Sequence, residues 1–211
     1  MNSILIYGGT FDPPHTGHLF TTLAVQREFE FDKVYFIPCK TPVLKAESQA
    51  TPSQRVDMLK LALSHYKEFR IDLREIKRDS PSYMIETLQS FRKEFGNNIS
   101  ITLLVGADAF QQLPCWNEWR KLTDYSHILV IKRPISTEEP PKVFQDFISE
   151  HVTSNKANLL SKPSGFIYFY NAGLYNISST DIRERAKEGR SIKKYLPHSV
   201  YRYIKQHDLY I

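Results

Sequence analysis

Six short apolar runs punctuate this chain, at 4–7, 34–37, 69–73, 99–105, 128–131 and 166–170. Most are unbroken in Ile, Val, Leu, Phe or Tyr, the pattern of strands buried on both faces of a parallel sheet. Helical periodicity fills the gaps, and that alternation defines an α/β layered fold. With 211 residues the chain can bury a full core in one such domain, so the expectation is a single domain over 1–211.

The helix boundaries carry their own chemistry. Thr51-Pro52-Ser53-Gln54 has Thr at the N-cap, Pro at the first helical position and Gln where a capping box needs it. Val56, Leu59, Leu61, Ala62 and Leu63 then supply an apolar face. Ser80-Pro81 is expected to start a helix carrying Ile85, Leu88 and Phe91. Ser178-Ser179-Thr180-Asp181 is expected to start another, ending at Gly189 as the left-handed residue past its last turn. Pro197 opens a last pattern through Val200, Tyr203 and Ile204. The polar, proline-punctuated stretch 137–164 reads as one peripheral helix around 143–148 and a mobile loop.

Bulk properties narrow the class only a little. Lys and Arg number 28 against 23 Asp and Glu, a formal charge of +5 that suits anionic partners from nucleotides to nucleic acid without choosing among them. Two cysteines, Cys39 and Cys115, argue against a disulfide framework and fit a reducing cytoplasm. No signal-peptide pattern opens the sequence, and no apolar run approaches the roughly 20 residues of a spanning helix. A cytoplasmic location is the expectation.

The first run leads into Gly8-Gly9-Thr10-Phe11-Asp12-Pro13-Pro14-His15-Thr16-Gly17-His18, followed by the helical pattern Leu19, Phe20, Leu23, Ala24. Strand, glycine turn and helix start together make a geometry that holds phosphate against backbone N–H groups. His15 and His18, three apart, face one way on the first helical turn. They suit phosphate oxygens on which negative charge grows during group transfer. Two plainer readings stand beside this one: ordinary polar residues of a helix start, or half of a zinc site. Zinc would need a third and usually a fourth ligand.

A second anion-suited segment is Asn176-Ile177-Ser178-Ser179-Thr180-Asp181-Ile182-Arg183, a helix start rich in hydroxyls with a fixed charge one turn on. Taken in isolation, a plain capped helix explains it better. Gly106-Ala107-Asp108 follows the fourth run, where ligands of open parallel sheets gather. Asp108 suits a ribose hydroxyl or a Mg²⁺ ion there, or simply a turn. Trp116 and Trp119 follow; a tryptophan near a strand end can stack on an aromatic base, while core packing is the plainer reading of both. Lys132-Arg133-Pro134 closes the fifth run with a basic pair, suited to phosphate or to solvent.

The eleven-residue glycine–histidine segment resembles the (His/Thr)-x-Gly-His signature of a nucleotidyltransferase superfamily. In its longer form it is similar to bacterial nicotinate-nucleotide adenylyltransferases. Pro81-Ser82-Tyr83-Met84, Gly106-x-Asp108, Trp116, Arg133-Pro134 and Ile177-Ser178-Ser179-Thr180 follow in the order of that family, so the resemblance spans nearly the whole chain. It implies a Rossmann-like parallel sheet flanked by helices, with a small helical region over about 177–211.

The resemblance further implies transfer of AMP from ATP to nicotinate mononucleotide, with Mg²⁺ accompanying ATP. His15 and His18 would be catalytic. Gly8, Gly9, Thr10, Phe11, Arg133, Ser179, Thr180 and Arg183 would join them in binding ATP. Lys45, Tyr83, Met84, Gly106, Asp108 and Trp116 would bind the mononucleotide, and Trp119 would be core. No side chain would itself hold the metal, and neither nucleic acid nor membrane would be a partner; the oligomeric state stays open. Two departures stand out: Met84 where the family has Thr, and Leu44 where it often has His. The rivals are transfer to nicotinamide mononucleotide or phosphopantetheine, and a non-catalytic nucleotide or nucleic-acid-binding module.

Overall fold

A computed structural model describes residues 2–44, 48–132, 141–173 and 177–211. All six apolar runs are strands: β1 (Ser3–Gly9), β2 (Lys33–Pro38), β3 (Phe69–Ile71), β4 (Ser100–Gly106), β5 (His127–Ile131) and β6 (Ile167–Tyr170). They form one sheet in the order β3-β2-β1-β4-β5-β6. The pairs β1/β4, β4/β5 and β5/β6 are parallel, with Ile4 opposite Ile101, Leu103 opposite Ile128 and Val130 opposite Phe169. Strand order reverses between β1 and β4, the kind of switch point at which doubly wound sheets bind ligands. This is the α/β layering the strand pattern anticipates and the Rossmann-like architecture the family resemblance implies.

The helices among the described residues are α1 (Thr16–Phe29), α2 (Pro52–Leu63), α3 (Arg74–Lys77), α4 (Met84–Phe95), α5 (Ala107–Gln111), α6 (Leu122–Tyr125), α7 (Lys142–His151), α8 (Asn158–Ser161), α9 (Ser179–Lys187) and α10 (His198–Gln206). The Thr51 capping box forms as read, with Gln54 N–H donating to Thr51 Oγ1 and Thr51 N–H to Gln54 Oε1. Ser178 caps α9 by accepting from Asp181 N–H at 3.1 Å, and Gly189 takes the left-handed conformation, φ 68°.

Three boundaries depart from the sequence reading. Helix α4 begins at Met84 instead of at Ser80-Pro81, because Ser82 Oγ accepts the Lys40 backbone N–H at 3.0 Å and so is not available as a cap. Strand β3 stops at Ile71, since Asp72 Oδ1 turns the chain by accepting Arg74 N–H at 2.8 Å. The segment read as one helix and a loop contains a second short helix, α8. It packs against β4, buries Leu159 completely, and accepts Ser100 Oγ–H at the Leu159 carbonyl.

By contacts the chain divides into two compact units. The first comprises Met1–Gly8, Glu28–Tyr35 and Tyr83–Ala172; the second comprises Gly9–Arg27, Phe36–Ser82 and Gly173–Ile211. In the second, α10 packs on α2, and Ser199 Oγ donates to the Leu61 carbonyl at 3.2 Å.

In the first unit two buried basic side chains, Arg92 and His127, tie loops to the sheet. Arg92 donates to the carbonyls of Tyr125, Gly96, Ile99 and Pro163, so its charge is met by peptide dipoles instead of by a carboxylate. His127 accepts the Phe166 N–H at Nδ1, 3.2 Å, which leaves its proton on Nε2, 2.9 Å from the Lys162 carbonyl. Burial above all, with the nearby Arg92 charge, pushes the His127 imidazole down to about 4 from the ordinary 6.5. A second proton would set two donors face to face at Nδ1.

The sign follows from linkage. The folded protein binds this proton more weakly than the unfolded chain, so the stability His127 supports is complete above about pH 6.5 and is lost as pH falls toward 4. The full loss is at most about 3 kcal/mol. Urea midpoints of wild type and His127→Gln at pH 7.5 and pH 4.5 check this. The wild type is expected to fall more steeply, and parallel falls would show that another group dominates.

Candidate active site

The chain leaves β1 through two glycines. A Cβ at Gly8 would lie 2.5 Å from the terminal methyl of Met84, so that side chain covers the Gly8 backbone. A Cβ at Gly9 would lie 3.1 Å from the Phe11 ring. Phe11 itself is left-handed, φ 52°, with its ring 2 % exposed and edge-on to His18 at 5.1 Å between centroids. Non-glycine residues hold this conformation only where their surroundings impose it. The Asp12–Pro13 peptide bond is cis.

The two imidazoles sit together as the spacing suggests. Their rings stack at 3.7 Å between centroids and 29° between planes. His15 is 4 % exposed, whereas His18 is half-buried. His18 Nδ1 accepts the His15 backbone N–H at 3.1 Å, which puts the proton of a neutral His18 ring on Nε2. The ring therefore caps the start of α1 through Nδ1 and carries its N–H on the opposite nitrogen.

Distant segments of the second unit clamp the backbone between Thr10 and Thr16. Arg55, fully buried, donates to the Thr10 carbonyl at 2.7 Å and to the Lys40 carbonyl at 2.8 Å. Arg183 donates to the Asp12 carbonyl at 2.7 Å and to Thr180 Oγ1 at 3.3 Å. Ser179 Oγ donates to the Pro13 carbonyl at 2.9 Å, and Thr16 Oγ1 to the Tyr195 carbonyl at 3.0 Å. The Asp12 carboxylate is buried and accepts from Gln49 N–H, Ala50 N–H and Tyr210 Oη–H.

The structure thus brings Gly9, Thr10, Phe11, His15, His18, Ser179, Thr180 and Arg183 into one unit, with Ser179 and Arg183 bonded to the glycine–histidine loop itself. A guanidinium has five N–H donors, so Arg183 can grip the loop and still present donors elsewhere. Arg55 and Tyr210 were missed by sequence reasoning. Arg55 looks like any polar residue on an amphipathic helix, and Tyr210 lies 198 positions from Asp12.

The residues read as pyridine-side lie in the first unit, along with Gly8. Tyr83 is the N-cap residue of α4 and Met84 its first residue, both half-buried. Gly106 ends β4 and is the N-cap residue of α5, and a Cβ there would meet nothing within 4 Å. Asp108 lies exposed in the first turn of α5. Trp116 is half-buried, and among the described residues no aromatic ring stacks on it. Trp119, read as core, is half-buried and packs edge-on against Phe144 and Phe147 with Arg120 over its ring. Leu44 is exposed. Lys45 and Arg133 fall outside the described residues.

A strand, a glycine turn and a helix start thus carry two stacked histidines. The family model for cytidylyltransferase-like proteins matches residues 6–185. The chain is 49% identical over 211 residues to a "Probable nicotinate-nucleotide adenylyltransferase" of Legionella pneumophila (strain Paris), covering 100% of both chains. It is 40% identical over 206 residues to a protein of the same name from Methylococcus capsulatus, covering 97% of this chain and 98% of the relative. A solved Plasmodium falciparum nicotinic acid mononucleotide adenylyltransferase, complexed with NaAD, superposes with a TM-score of 0.75 at 18% identity. That match covers 100% of this chain and 98% of the other, and it shows a shared fold. The chain belongs to the nicotinate-nucleotide adenylyltransferase family of cytidylyltransferase-like enzymes.

Proposed function

We propose that this chain transfers AMP from Mg–ATP to nicotinate mononucleotide, releasing pyrophosphate and forming deamido-NAD in NAD biosynthesis. The observation that carries the reading is the stacked His15–His18 pair at the start of α1, with His18 Nδ1 bonded to the His15 backbone N–H. Family membership supports the choice of substrates. An oxygen of the mononucleotide phosphate attacks the α-phosphorus of ATP, and pyrophosphate leaves in line. The substrate is already a nucleophile, so catalysis is alignment and charge stabilisation.

In this reading His18 donates from Nε2 to a phosphate oxygen as charge builds there, and His15 backs it through ring stacking. Thr10 and Phe11 contribute backbone groups; Ser179, Thr180, Arg183 and Arg133 bind the triphosphate. Lys45 contacts phosphate, while Tyr83, Met84, Gly106 and Asp108 surround the mononucleotide. Among the described residues no group of three or more His, Cys, Asp or Glu is placed to hold a metal ion. Mg²⁺ would accompany ATP and neutralise phosphate charge. No helix among the described residues is long and apolar enough to cross a membrane. We assign the enzyme to the cytoplasm on its cysteine usage and its small-molecule substrates.

Pyrophosphate release with Mg–ATP and, in parallel, nicotinate mononucleotide, nicotinamide mononucleotide and phosphopantetheine tests the proposal. Strong preference for the nicotinate substrate supports it. Met84 gives the amide substrate some standing as a second reading, because this thioether replaces the family's hydroxyl while covering Gly8. Preference for the amide would keep the chemistry and overturn the acceptor. Release with none of the three from folded protein would overturn both.

Trp116 carries the pyridine side. Trp116→Ala is expected to raise KM for the mononucleotide by about 10-fold, the scale of one lost base–aromatic stack, with KM for ATP nearly constant. Steady-state kinetics with each substrate varied in turn check this. Equal rises in both constants would assign Trp116 to packing.

A further inference from the structure

We propose that Tyr210 is a positioning residue for ATP, acting through Asp12 to set the phosphate-binding loop. This rests on the reading of 9–18 as that loop. The Asp12 carboxylate is the loop's internal anchor, and its three donors have distinct origins. Gln49 N–H at 2.9 Å and Ala50 N–H at 3.2 Å come from the backbone just before α2. Tyr210 Oη–H at 2.6 Å is the only side-chain donor to that carboxylate recorded among the described residues. Tyr210 is itself fixed: it is 5 % exposed and left-handed, φ 66°, just beyond α10, with Leu209 N–H donating to the Ile204 carbonyl.

The loop's other restraints bind carbonyls. Arg183 holds the Asp12 carbonyl and Ser179 the Pro13 carbonyl, and both belong to the segment proposed to bind the triphosphate. When phosphate oxygens compete for those donors, the carboxylate anchor and the Arg55 clamp on the Thr10 carbonyl are what keep Phe11 left-handed and the His15–His18 stack in place. A short hydrogen bond to a buried carboxylate is among the stronger restraints available to a loop. Burial and the Asp12 charge also hold the Tyr210 hydroxyl protonated far above its ordinary range, so this donor persists across all working pH.

The test is Tyr210→Phe, which removes one oxygen and keeps the packed ring. ATP affinity is read by calorimetry, and kcat and both KM values by pyrophosphate release. The Kd for ATP is expected to rise about tenfold, the scale of one hydrogen bond to a charged group. KM for nicotinate mononucleotide should stay within about twofold. Val200→Ala serves as the control, since Val200 is fully buried in α10 and packs in the same unit without a bond to the loop. It should lower the melting temperature with ATP affinity kept.

Wild-type ATP affinity and kcat in Tyr210→Phe would overturn the proposal. So would an equal rise in both KM values, or an equal loss of ATP affinity in Val200→Ala. If the wild type itself neither binds ATP nor releases pyrophosphate, the functional reading falls and this inference falls with it.

Discussion

His18→Ala is expected to lower kcat by about 10²–10³, the usual loss of one donor aimed at developing charge. The geometry selects His18 over His15 for this role. His15 is 4 % exposed and offers its backbone N–H to His18, whereas His18 is half-buried and is the more accessible ring of the two. The substitution also removes the Nδ1 cap from the start of α1, a loss of about 1 kcal/mol in stability. Those two losses can be separated. His18→Asn places an acceptor near the position of Nδ1 but nothing at Nε2. It should regain the melting temperature lost in His18→Ala while kcat stays low. Recovery of kcat in His18→Asn would mean that His18 works only as a cap. An unchanged kcat in folded His18→Ala would remove His18 from the mechanism.

What the sequence disclosed about this site, and what it concealed, follows from the range of the forces involved. The central strands β2, β1, β4 and β5 are readable because burial on both faces demands apolar runs, and each run sits in one place in the chain. Thr51 and Ser178 are readable because a cap needs a side-chain oxygen within three residues of its partner N–H. The His15–His18 stack is readable for the same reason. Where a distant group intervened, local rules failed. Ser80-Pro81 reads as a helix start, but the chain there is tied through Ser82 Oγ to the Lys40 N–H, 42 positions away, and α4 begins only at Met84. Arg55 sits on the apolar side of α2 as a buried cation, and only the carbonyls of Thr10 and Lys40 account for it. The Asp12 motif residue drew no functional reading of its own, because its partners Gln49, Ala50 and Tyr210 carry no signature.

Gly17→Ala should separate stability from activity most cleanly. Gly17 is the second residue of α1, and in a helix alanine is favoured over glycine by up to about 1 kcal/mol. On local grounds the change stabilises the protein. The third neighbour that a Cβ would meet, Ile177 Cβ at 3.7 Å, is at ordinary contact distance. The other two are atoms of the His15 ring: Nδ1 at 2.9 Å and Cε1 at 3.0 Å. A ring that close must move, and it cannot move alone, because it is stacked on His18 at 3.7 Å and the His15 N–H is bonded to His18 Nδ1. A displacement of about 1 Å in groups aligned for group transfer costs about 10²-fold in rate. The expected result is therefore kcat lowered by about 10²-fold with a melting temperature near wild type, the cost of displacing the buried His15 ring offsetting the helix gain. Both are read on the same preparation by calorimetry and pyrophosphate release. A wild-type kcat would show that the His15 ring can turn aside without disturbing the reacting phosphates, and the helix would then need no glycine at this position. Glycine in the His-x-Gly-His spacing is on this account no feature of the turn's backbone. It is the vacancy that lets two imidazoles stack at the start of a helix, so the motif's small residue and its reactive residues form one device.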